Sequence, residues 1–128
     1  EGPAVRIIGA QSDRTNAMSL ALERGQPTDI PDRPTLADGL AGLVDAEMLA
    51  QGQAAIDEMV TVSETDIASA IAYLWIEEGV KVEGAGAVGV AALLAGRVLK
   101  IAFPVVVVVS GGNIDAAVHQ RILAGAAT

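Results

Sequence analysis

The sequence has no cysteine, which excludes disulfides, a thiol nucleophile and a cysteine zinc site. It has a single histidine, His119, so the usual histidine clusters for metal binding are excluded as well. Aromatic residues make up 2% of the chain and are Tyr73, Trp75 and Phe103. A core must therefore be built from Ala, Val, Leu and Ile, and a stacking platform for bases is missing. Positive charge is scarce: eight Lys and Arg stand against sixteen Asp and Glu, for a net charge of −8. With no basic patch, nucleic acid is not an expected partner. The longest apolar run is far too short to cross a bilayer, and no signal peptide is visible, so no membrane partner is expected. Together with the missing cysteine, this fits a cytoplasmic setting.

Apolar residues are abundant, at 52% of 128 positions. That is enough for one compact α/β domain over residues 1–128, with no linker and no internal repeat. Val5, Ile7 and Ile8, ending at Gly9-Ala10, predict a buried strand. A helix is expected over residues 16–24, with Ala17, Leu20, Ala21 and Met18 inward and Gly25 as its stop. Residues 26–34 hold three prolines and predict a loop. Residues 45–57 are weakly helical, with Met48, Leu49, Ala54 and Ile56 open to burial, and residues 59–62 read as a strand. Ser63 and Asp66 have the spacing of a capping box. Ile67, Ile71, Leu74 and Trp75 then mark one face of a helix that Gly79 ends.

After a brief extended piece, Val80-Lys81-Val82, a small-residue helix is expected over residues 84–97, with Val90, Leu93 and Leu94 inward. Residues 104–109 include five consecutive valines and predict a central strand of a parallel sheet, buried on both faces. A last helix is expected over residues 115–123. This alternation predicts an α/β fold with an open, mostly parallel sheet flanked by helices.

Several motifs can carry chemistry. Ser110-Gly111-Gly112-Asn113 follows the valine strand, where open α/β sheets bind ligands, and the glycines would admit a flat molecule. The plainer interpretation is a glycine turn whose Ser or Asn caps the next helix. Gly84, Gly86 and Gly89 formally match a dinucleotide signature. Close helix packing through small residues explains them more simply. Thr35 and Asp38, around Gly39, suit helix capping better than a pocket. His119 is expected on a solvent face, as are Asp45, Glu47, Asp57 and Glu58, while Met18, Met48 and Met59 are expected to pack.

Taken in order, Thr35-Leu36-Ala37-Asp38-Gly39, Val60-Thr61-Val62-Ser63, Glu83-Gly84-Ala85-Gly86-Ala87 and Val109-Ser110-Gly111-Gly112-Asn113-Ile114-Asp115 resemble the threonine/serine dehydratase family, which includes serine racemase. The resemblance covers nearly the whole chain. It implies the C-terminal part of the large domain of a type II pyridoxal-phosphate enzyme. It implies pyridoxal 5'-phosphate as cofactor, with Ser110 bonding the pyridine nitrogen, Glu83 near the ring, and Gly39 lining it beside Gly111 and Gly112. The implied reaction dehydrates and deaminates L-threonine or L-serine to a 2-oxo acid and ammonia. A serine racemase-like outcome on the same scaffold is the first alternative. A non-catalytic assembly module and a nucleotide-binding domain are the others.

The family's Schiff-base lysine lies in an upstream Ser-x-Lys-x-Arg segment that this sequence lacks, and Lys81 and Lys100 do not share that context. No catalytic residue is therefore assigned within the chain. Some members hold a divalent cation near the end of the first strand through a Glu. Gln11 stands at that position here, so no metal is assigned. The expected partners are an amino-acid substrate, an N-terminal part of the enzyme, and further copies of the chain, since open strand edges invite pairing.

Overall fold

A computed structural model describes residues 4–125. Strand β1 (Ile8–Ser12) leads into helix α1 (Ala17–Arg24), a 3-10 turn over Asp38–Leu40, helix α2 (Ala46–Ala55) and strand β2 (Glu58–Val62). Helices α3 (Glu64–Glu78), α4 (Gly84–Leu94) and α5 (Ala116–Leu123) follow. The two strands pair in parallel, from Ile8 opposite Glu58 to Ser12 opposite Val62. The return crossover between them, carrying α1 and α2, is what parallel pairing requires. The α/β class expected from the alternation holds, with the parallel ladder formed by β1 and β2.

Local signals set most boundaries. Gly25 and Gly79 end α1 and α3 in the left-handed region, with φ of 71° and 68°. Ser63 and Asp66 form the reciprocal capping box at the head of α3. Asp45 caps α2 by accepting the Met48 amide at 2.8 Å, and Asp57 accepts the Ile7 amide at 2.7 Å. Glu58 pairs with Arg6. Three of the four acids expected merely to face solvent thus hold local structure.

The core lies where α3 and α4 pack together over the sheet, joining Val62, Ile67, Ile71, Leu74, Val82, Ala87, Ala91 and Ile122. Full burial of Ile67 and Ile71 stabilises by about 2 kcal/mol each. Helix α4 buries its small residues Gly84, Gly86, Ala87, Val88, Ala91 and Ala92, rather than the expected large ones. Leu94 is exposed, and Val90 and Leu93 are half-buried. Trp75 and Met48 are also more exposed than their spacing suggests.

Two expectations fail clearly. Residues 104–109 form no regular strand, and Val106 and Val108 are 88% and 80% exposed. No strand among the described residues lies alongside to receive their backbone bonds, so the doubly buried environment does not form within this chain. His119, expected on the surface, is buried on α5, where its ring meets Trp75 of α3 edge-on at 5.4 Å. Cover by the indole accounts for the burial of His119.

Candidate functional site

The site is built at the head of α4. Val82, 1% exposed, anchors the extended approach, so that Glu83 becomes the N-cap residue. The Glu83 side chain makes no capping bond to α4, which leaves its carboxylate free to project elsewhere. Its backbone amide donates to the Gly111 carbonyl at 3.1 Å, tying the end of the valine run to the start of the helix.

Two glycines of α4 explain how the other segments close in. A Cβ on Gly84 would strike the Leu36 carbonyl and come within 2.9 Å of the Ala37 amide. A Cβ on Gly86 would strike the Ser110 carbonyl. Residues 35–37 and Ser110 can thus lie directly on the helix backbone. Gly89 likewise faces the Val107 side chain, at 2.9 Å from an added Cβ. All three glycines of the formal dinucleotide signature thus lie against protein. They serve close packing.

The outcome is a convergence. Gly39 lies against Ala85, whose Cβ would be 3.0 Å from a Cβ on the glycine, with Glu83 Oε1 at 4.0 Å. Gly111 has φ of 74°, and a Cβ there would fall on the Glu83 carboxylate. Gly112 faces the Lys81 carbonyl at 3.0 Å. Gly39, Glu83 and the Ser110-Gly111-Gly112 segment, remote from one another in sequence, thus come together at the head of α4. Glu83 is half-buried and the other four are exposed. Neither Ser110 nor Asn113 caps the next helix. Asp115 does, accepting the amides of Ala117 and Val118 at 2.8 and 3.2 Å. Nor does Thr35 cap one: its hydroxyl donates to Glu64 at 2.8 Å.

Other candidates lie elsewhere. His119 does not join the convergence. Burial, then the nearby Lys81 charge, holds its pKa below the ordinary histidine value. Gln11 is buried, and its side-chain oxygen accepts the Ser19 amide at 3.0 Å. Among the described residues no group of three or more His, Asp or Glu is placed to hold a metal ion. Two shallow hollows, one at Leu22, Gln53 and Met59 and one at Arg14, Arg33 and Pro34, are remote from these residues.

Glu64 escapes sequence reasoning altogether. It is 8% exposed at the first position of α3, and its carboxylate accepts the Ser12 hydroxyl, the Thr35 hydroxyl and the Leu36 amide. A Glu behind an N-cap serine is ordinarily a solvated first-turn acid. No local pattern announces that two distant hydroxyls meet it.

An α/β scaffold that brings an exposed hydroxyl, a free carboxylate and a bare glycine face together has the form of a binding face for a flat, polar-edged ligand. The chain belongs to the family described as pyridoxal-phosphate dependent enzyme, which matches residues 1–111. It is 42% identical over 125 residues to an L-threonine ammonia-lyase of Thermotoga maritima, covering 94% of this chain and 30% of that protein. The solved structure of the processed form of threonine deaminase isoform 2 from Solanum lycopersicum is 30% identical, with a TM-score of 0.79, over 94% of this chain and 35% of that one. Maize serine racemase, 24% identical, shares the fold with a TM-score of 0.83 over 96% of this chain and 40% of its own. The chain therefore spans 30% to 40% of the length of these three proteins.

Proposed function

We propose that this chain forms one face of the cofactor cleft in an enzyme that dehydrates and deaminates L-threonine or L-serine to a 2-oxo acid and ammonia. The observation that supports this most is the convergence of Gly39, Glu83, Ser110 and Gly111 from three separate segments. The residues present suit pyridoxal phosphate on a structural ground: Gly39 and Gly111 bring bare, exposed backbone up against Glu83, where a side chain would collide with protein, and Ser110 stands exposed next to Gly111. Bound there, the cofactor would supply the electron sink for the reaction.

Ser110 would offer the ring nitrogen a hydroxyl, which is a neutral partner. Unlike a carboxylate, the hydroxyl would bring no negative charge to that nitrogen. Glu83 would place its carboxylate beside the ring, and its backbone amide donates to the Gly111 carbonyl. Gly39 and Gly111 let their backbones lie against Ala85 and Glu83, and Gly86 lets Ser110 sit close to α4. Lys81 precedes Glu83 by two residues with its carbonyl turned to Gly112, and Lys100 lies before the valine run with its carbonyl bonded to Arg6. On this proposal the lysine that takes the α-proton would come from polypeptide outside this chain.

The test is a chimera in which this chain replaces the matched segment of the Thermotoga maritima enzyme. The expected result is threonine-dependent release of a 2-oxo acid and ammonia. Ser110→Ala should lower kcat/KM about tenfold, the scale of one neutral hydrogen bond, without changing the thermal midpoint. A folded chimera that retains pyridoxal phosphate but yields no 2-oxo acid from threonine or serine would sink the proposal. D-serine formation in its place would assign racemisation instead.

A further inference from the structure

Glu64 is a buried carboxylate that belongs to no ion pair among the described residues. Such a charge is tolerated only where donors replace its water. The donors come from two places outside its own helix. One is the Ser12 hydroxyl at the end of β1, fully buried. The others are the Thr35 hydroxyl at 2.8 Å and the Leu36 amide at 2.6 Å. The Thr35 oxygen accepts in turn the Ala37 amide at 3.0 Å. Residues 35–37 belong to no helix or strand, so these bonds define their path.

That path leads into the site. The Leu36 carbonyl lies on Gly84, Ala37 is fully buried, and the Ala37 carbonyl accepts the Leu40 amide at 2.9 Å. Gly39 sits inside this turn, against Ala85 and Glu83. We propose that Glu64 is a positioning residue, which clamps residues 35–37 between β1, α3 and the head of α4 and so places the Gly39 backbone opposite Glu83. Its consequence for catalysis rests on the cofactor-cleft proposal; the clamp itself does not. Because the carboxylate sits at the positive end of α3, the charge suits its place as well as its partners.

The test is hydrogen exchange by mass spectrometry on the full chain and its variants Glu64→Ala, Glu64→Gln and Thr35→Val. In Glu64→Ala, the amides of residues 35–41 should exchange about tenfold faster or more, while β2 and the second half of α3 stay within about twofold. Glu64→Gln keeps an acceptor for the Leu36 amide and should restore most of the protection. Should Glu64→Ala fail to fold, Thr35→Val carries the same prediction, since it removes the bond to Glu64 and the one from the Ala37 amide without stranding a charge. In the chimera, Glu64→Ala should lower kcat/KM for threonine at least about tenfold, with partial rescue by Gln. Unchanged exchange over residues 35–41, or equal loss of protection in every element, would overturn the clamp. A chimera inactive with Glu64 intact would strike only the cofactor proposal, and the exchange data would still decide the clamp.

Discussion

Gly111 and Gly25 both have positive φ, at 74° and 71°, but their surroundings differ. An added Cβ at Gly25 meets nothing within 4 Å, whereas at Gly111 it meets Glu83. Gly25→Ala should therefore cost only left-handed strain, about 1 kcal/mol. Gly111→Ala should cost about 1–3 kcal/mol and displace Glu83. Urea midpoints of the two variants compare them, and equal losses would mean that Gly111 does not bear on Glu83. His119 gives a second test at this scale. Its native pKa lies below the ordinary value of 6.5, because burial opposes the charged form and Lys81 repels it. As pH falls below about 6.5 the unfolded chain takes up a proton that the native chain resists. Stability should be full above that value and decline as pH falls toward the lowered one. His119→Leu should flatten this decline between about pH 7 and pH 5.5 in thermal midpoints. An unaltered slope would contradict the assignment.

At the scale of elements, the valine run makes the sharpest prediction. With Val106 and Val108 exposed, the isolated chain should associate as its concentration rises, by pairing of the open run. Val106→Lys should reduce this in sedimentation velocity, and a monomer at every concentration would contradict it. The same run shows where sequence reasoning stops. Capping and turn chemistry are local, so Ser63, Asp66, Gly25 and Gly79 could be read without a structure. The site motifs at Glu83 and Ser110 were legible as ordered segments, because short spacings preserve them. Burial is not local. Five valines indicate a strand that wants two neighbours, but do not say whether those neighbours are in the chain. The cover over His119 is supplied by Trp75 from another helix, and the bonds to Glu64 by hydroxyls at Ser12 and Thr35. No periodicity within α3 or α5 reports either one.

For the whole molecule, an organised glycine-lined face stands on a chain that spans 30% of an L-threonine ammonia-lyase it matches. The exposed site residues and the exposed valines are consistent with one account. In it, this chain provides half of a cofactor cleft, and other polypeptide provides the rest, including the reactive lysine. Lys81 and Lys100 are the chain's two lysines, and both are exposed. The most direct measurement is intact mass after the chain is incubated with pyridoxal phosphate and reduced with borohydride. The account predicts no adduct, or slow labelling shared between both lysines. A single rapid adduct at Lys81 or Lys100 would show a complete reactive site within this chain and contradict it.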